Sequence, residues 1–151
     1  MSDQPLRCVV DANVVLKLFL EQPGSDLADA LFSRFESDSR ARFYVPGFFY
    51  AECTSVLALY VRQNQHLAQS ARQDMAELLA LGLDVVSTKD LATDALDIAL
   101  TYTLSGYDAF YAALSRRMEV PLITADQKMA RALAGKPFDI RLLDDFSASS
   151  S

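Results

Sequence analysis

One histidine and two cysteines occur in 151 residues. His66 opens a polar helical segment and is expected to face solvent, while Cys8 and Cys53 lie far apart and form no CxxC pair. That pattern argues against the His and Cys sets that hold zinc. It also argues against a disulfide framework. Two structural thiols fit a reducing compartment, so a cytoplasmic protein is expected. No apolar run approaches the roughly 20 residues that span a bilayer. The opening MSDQPLR lacks a basic segment leading into an apolar one, so no secretory signal is expected. The glycine signatures of P-loop and dinucleotide-binding proteins are missing. There is no surplus of positive charge either: the formal net charge is −6, which counts against a simple nucleic-acid binder. An acidic chain of this kind suits a protein that holds cations or meets a basic partner.

The charge is uneven. Residues 106–141 carry six cations (Arg116, Arg117, Lys128, Arg131, Lys136, Arg141) and four acids (Asp108, Glu119, Asp126, Asp139), a net of +2, so the remainder carries −8. Hydrophobic residues make up 51%, enough for a globular chain with a core of useful size. There is no internal repeat and no linker. A single domain over residues 1–146 is expected, with disorder at residues 1–5 and in a tail at 147–151.

Short β-type runs alternate with longer helical ones. RCVV, RFYVP, LDVVS, VPLIT and FDIRLL read as five strands. Between them lie helical runs: Ala12 to about Leu20, SDLADALFSRFES with Ser25 as N-cap, GFFYAECTSVLALYVRQN, HLAQSARQDMAELLALG ended by Gly82, TKDLATDALDIALTYTLSG, YDAFYAALSRRME and DQKMARALAG. Strands separated by helices give βαβ units. The expected fold is α/β, a three-layer α/β/α sandwich around a mostly parallel sheet of about five strands. Ligands of such sheets gather beyond the carboxyl ends of the strands.

Four acids fall at that edge. Asp11 ends the first strand, Glu52 lies early in the helix after the second, Asp126 follows the fourth, and Asp108 opens the helix that runs into the fourth. Each has a structural alternative. Asp11 suits an N-cap. Asp108 suits any first helical turn. Asp126 complements a helix dipole, and TADQ fits a capping box with Thr124 as cap and Gln127 reaching back. Glu52 shares a helical face with Phe48, Phe49, Val56 and Leu59, and its helix offers no cation before Arg62. A salt bridge, a metal ion or a water-filled pocket would explain it, because acids are rarely buried without a partner.

Taken together, the four carboxylates have one chemistry in common. Gathered like charges raise each other's pKa, and a divalent ion relieves the repulsion. Mg²⁺ or Mn²⁺ is the expected ion, since both prefer oxygen ligands. Such ions activate water and shield the departing oxygen of a phosphodiester. Helix starts beside Asp108 and Asp126 favour anions.

VVDANVVLKLF, VPGFFYAECTSVL, SGYDAFYAALSRR and VPLITADQKMARAL, in this order, resemble the four acidic motifs of PIN-domain ribonucleases, most of all the VapC-type toxins of toxin–antitoxin pairs. The resemblance runs from about Arg7 to Leu143. It implies the α/β/α fold and metal-dependent endoribonuclease activity, with Asp11, Glu52, Asp108 and Asp126 as the acidic quartet. Asp11 and Asp108 would hold the principal ion. Asp126 and Glu52 would complete its shell through waters or help to bind a second. Asn13 and Thr124 match supporting polar positions of the family. Where the family often has a further acid after the last motif, the next turn here holds Lys128, Met129 and Ala130. Lys128 and Arg131, with Arg116 and Arg117, are candidate RNA contacts or a solvated helix face. The implied partners are an RNA substrate, an antitoxin whose basic segment enters the acidic site, and a second copy in a homodimer.

Two other classes compete. A catalytically inactive PIN-like module would bind proteins without needing all four acids. An Asp-based phosphatase or phosphoacceptor domain also places Asp after its first strand. The phosphatase, however, needs a second Asp where Asn13 stands, and the phosphoacceptor needs one directly after the third strand, where Asp90 comes only in a helix start.

Overall fold

The computed structural model describes residues 4–148. Residues 1–3 and 149–151, which belong to the ends expected to be disordered, lie outside the described residues. Five strands, β1 (Arg7–Val10), β2 (Arg42–Pro46), β3 (Asp84–Val86), β4 (Leu122–Thr124) and β5 (Ile140–Leu142), form one sheet in the order β3-β2-β1-β4-β5. Every pairing is parallel, with Val9 opposite both Tyr44 and Leu122 in register. The expected sandwich with a parallel sheet is the observed one.

The reason lies in the central strands. Cys8, Val9 and Val10 are all fully buried, as a strand covered on both faces must be. Cys8 and Val10 join one core with Phe43, Val45 and Ile123. Val9 joins the other with Tyr44 and Leu122. The first core is closed by helices α2 (Ser25–Ser37), α3 (Phe49–Arg62) and α4 (Ala68–Leu79), the second by α5 (Thr88–Tyr102), α6 (Gly106–Met118) and α7 (Gln127–Leu133). Burying each central Val stabilises the fold by about 1.5–3 kcal/mol.

Several local expectations change. The helical run after β1 is a single turn, α1 (Ala12–Val15), followed by a 3-10 turn over Leu16–Leu18. Ser25 is not the N-cap of α2: Gly24 holds that place at φ 90°, and the Ser25 hydroxyl instead donates to the Leu20 carbonyl. The fifth strand is shorter than FDIRLL. It stops at Leu142, and Leu143 opens a helix, α8 (Leu143–Ala148), with Asp144 and Asp145 in its first turn. Acids there complement the helix dipole, and α8 takes in two residues of the expected tail.

Between β1 and β4 the chain reverses its direction of travel across the sheet. This switch point opens a crevice at the carboxyl ends of the two strands. Asp11 and Asp126 lie just past those two ends.

Candidate active site

Asp11 occupies the N-cap position of α1 by backbone geometry (φ −72°, ψ 147°), yet it makes no cap hydrogen bond, and the Asn13 amide is the smallest of the influences on its carboxyl. It accepts a hydrogen bond from the Thr124 hydroxyl at 2.9 Å, across the gap between β1 and β4. The same Thr124 oxygen accepts from the Asp126 amide at 3.0 Å and from Asn13 Nδ2 at 3.4 Å. Asn13 Oδ1 in turn accepts from the Ala125 amide at 3.1 Å. Thr124 is fully buried. It therefore ties the first acidic segment to the last, and it is not the helix cap considered from TADQ. That cap is Asp126, whose Oδ1 accepts from the Met129 amide at 3.1 Å.

Among the described residues, Glu52 has no salt bridge. Its Oε1 accepts from the Tyr111 hydroxyl at 2.6 Å. Tyr111, buried on α6, was missed in the sequence, although it lies one helical turn beyond Asp108 and so on the same face. Asp108 is placed by its own cap: Ser105 starts α6 and accepts from the Asp108 amide at 3.2 Å. Asp11, Asn13, Glu52 and Asp108 line one cleft of about 260 Å³, with Gln22 and Val56 on its wall. Asp126 stands beside the cleft, and its charge acts on Asp108.

The electrostatics follow from this crowding. Burial pushes the Asp11 carboxyl up to about 7, and Glu52 and Asp108 push the same way against the Thr124 hydrogen bond. Glu52 is raised by burial and by Asp108, with Tyr111 opposing. Asp108 is raised by burial and by Asp126, while Ser105 and Lys128 hold it down. Cys53 sits close enough to feel Glu52 and Asp11, but burial keeps its thiol protonated, pushed up to about 12. Cys8 and Cys53 are both buried and free, as expected of structural thiols.

The basic residues separate. Lys128 is exposed at the site and acts on Asp108. Arg131 is exposed further along α7. Arg116 does not belong with them: it lies near the far end of α6, its guanidinium 5.4 Å from the ring centre of Phe138, at the amino edge of the sheet. Arg117 is near Asp94, at 3.6 Å. His66 also departs from expectation. Only 16% of its side chain is exposed, and Nε2 lies 2.6 Å from Asp74 Oδ2.

The donors in the cleft are all oxygen or amide groups, the chemistry of a hard divalent cation. Burial, with neighbouring like charges adding to it, raises Asp11, Glu52 and Asp108 together, and a bound cation would offset both. Among the described residues, no three His, Cys, Asp or Glu side chains close into a ready-made metal shell. Mg²⁺ keeps several of its waters and needs few direct ligands, so the residues fit an ion held partly through water. Among the described residues, no helix is long and apolar enough to cross a membrane.

The family model for the PIN domain matches residues 8–134. No curated protein sequence matches. Solved structures share the fold. PAE2754 from Pyrobaculum aerophilum has a TM-score of 0.71 at 18% identity, covering 97% of both chains. VapC20 of Mycobacterium tuberculosis, a sarcin-ricin-loop-cleaving toxin, has a TM-score of 0.62 at 18% identity, covering 85% of this chain and 95% of its own. VapBC-1 of nontypeable Haemophilus influenzae has a TM-score of 0.62 at 18% identity, covering 92% of this chain and 99% of its own.

Proposed function

The chain belongs to the PIN-domain family, and we propose that it is a divalent-metal-dependent endoribonuclease acting as the toxin of a VapBC-type toxin–antitoxin pair. One observation carries the reading. Three carboxylates, Asp11, Glu52 and Asp108, share a single cleft at the switch point of the sheet, and Asp11 is bound there by Thr124 rather than spent on a helix cap.

Asp11 and Asp108 would hold the principal Mg²⁺ or Mn²⁺, and Glu52 and Asp126 would support it through water. A bound ion would lower the pKa of a water and shield charge on the departing oxygen. Thr124 keeps the Asp11 carboxylate oriented while fixing the turn that carries Asp126. Tyr111 occupies Oε1 of Glu52 and leaves Oε2 to orient a water. Lys128, and less directly Arg131, meet the phosphate backbone. The domain is a single unit over residues 1–146 that works in the cytoplasm as a homodimer. A basic segment of the antitoxin enters the acidic cleft and silences it, for which the resemblance and the charge of the cleft are the support.

The test is cleavage of a structured RNA by the purified chain. Activity with Mg²⁺ or Mn²⁺ that is abolished by EDTA, and suppressed by the product of a short neighbouring reading frame, is expected. An inert chain at every ion concentration contradicts the ribonuclease. An active chain indifferent to that product contradicts the toxin.

A further inference from the structure

The largest cavity described, about 560 Å³, is not the acidic cleft but lies next to it, lined by Phe19, Glu21, Gln22, Tyr60, Gln65 and His66 among others. Gln22 is the wall between the two, since it also lines the acidic cleft. Resting on the ribonuclease reading, we propose that this cavity is a base-binding subsite that holds one unpaired nucleobase of the RNA beside the scissile phosphate.

The side chains are arranged for it. Gln22 Nε2 donates to the Tyr60 hydroxyl at 2.6 Å, and Gln22 Oε1 accepts from Lys17 Nζ at 3.4 Å. The amide at the shared wall is thus held from both ends. Across the cavity, the His66 ring is held by Asp74 at 2.6 Å, and both side chains are largely buried, 16% and 13% exposed. Asp74 engages the Nε2 edge and fixes the ring, so recognition would fall to the Nδ1 edge. An oriented imidazole, two amides and the rings of Phe19 and Tyr60 combine flat apolar faces with hydrogen-bonding edges. Proteins read unpaired RNA bases with this combination, stacking the ring and bonding its edge. Glu21 at the same cavity disfavours phosphate there, which leaves the backbone to the Lys128 side.

The experiment is binding by the full chain in EDTA, where no cleavage occurs. The probes are the hexaribonucleotides of A, C, G and U, plus an abasic hexamer of the same backbone. We expect at least one base to bind roughly tenfold tighter than the abasic chain, the scale of one stacked base. His66→Leu should erase most of that preference while leaving abasic binding unchanged, and Gln22→Ala, which also borders the acidic cleft, should erase it as well. His66→Asn, which keeps an edge acceptor, should retain part of it. Hydrogen exchange should show protection of residues 19–22 and 60–66 by the preferred hexamer only. Equal binding of all five probes, or preference that survives both variants, overturns the subsite alone. Failure of every probe to bind overturns the subsite, while the ribonuclease reading stands or falls separately on metal-dependent cleavage. Protection of residues 60–66 by a basic peptide but by no hexamer assigns the cavity to a protein partner and also overturns the proposal.

Discussion

The Tyr111 hydroxyl donates to Glu52 Oε1 across 2.6 Å, joining α6 to α3 inside the acidic cleft. It explains how a carboxylate survives beside Phe48 and Val56 without a cation. The bond holds the Glu52 pKa down while burial and Asp108 raise it. Tyr111→Phe is therefore expected to raise that pKa further and to move the acid limb of the cleavage pH profile to higher pH. A hydrogen bond to a charged group is worth about 1.5–3 kcal/mol, so a loss of that order in urea denaturation at pH 8 should accompany the shift. An unmoved acid limb would detach Tyr111 from the chemistry.

Stability should depend on pH in an unusual direction. The Asp11 carboxyl goes from its ordinary 3.8 to about 7 on folding, and Glu52 and Asp108 are raised as well. A carboxyl with a raised folded pKa stabilises the fold when protonated, fully below about pH 4. That contribution is lost as pH climbs through 7. Asp11 alone accounts for roughly 4 kcal/mol at most. Denaturation midpoints in EDTA are expected to fall between pH 5 and pH 8, and Asp11→Asn should flatten the fall. Mn²⁺ at 100 times its Kd adds roughly 2.7 kcal/mol and should restore the midpoint at pH 8. A midpoint that rises with pH in EDTA contradicts the cluster.

Thr124 tests the link between the first and last acids. Thr124→Val keeps the shape but leaves Asp11, the Asp126 amide and Asn13 Nδ2 without their shared oxygen. Each buried group stranded costs about 1–3 kcal/mol. The variant is expected to be destabilised by a few kcal/mol and to lose cleavage, and Thr124→Ser to recover both. Calorimetry beside a cleavage assay checks this.

Lys128 and Arg116 are equal candidates in the sequence and unequal in space. Lys128→Gln is expected to weaken RNA binding several-fold and to reduce the slope of log affinity against log salt by about 0.7, one phosphate contact to single-stranded RNA. Arg116→Gln, at the opposite edge of the sheet, should leave the slope unchanged. Filter binding over a salt series measures both.

The parallel sheet was legible because β1, β2 and β4 are apolar on both faces, which only a covered central strand requires. The positions of Asp11 and Asp126 followed from the chain order, since both come directly after strands. What the sequence did not display depends on contacts far apart in the chain. Thr124 meets Asp11 over 113 positions and Tyr111 meets Glu52 over 59, and no periodicity encodes such pairs. His66 misled because its neighbours are polar. Its burial comes from Asp74, in the second turn of the next helix. Arg116 misled because a net positive segment says nothing about which end of a helix each cation occupies. Helix α8 was hidden by its length, too short for a periodic pattern to stand out.

The most direct measurement pairs single-turnover cleavage of a structured RNA with metal-free stability for Glu52→Gln. Glutamine keeps the size, and its Oε1 still accepts from Tyr111, so only the charge is removed. The fold should hold, slightly more stable in EDTA because repulsion from Asp108 is relieved. Cleavage in Mg²⁺ or Mn²⁺ should fall by roughly 10- to 100-fold or more, as when a group that orients a metal site is lost. A variant that keeps its stability and still cleaves at the wild-type rate contradicts the assignment of these carboxylates as a metal-dependent nuclease centre.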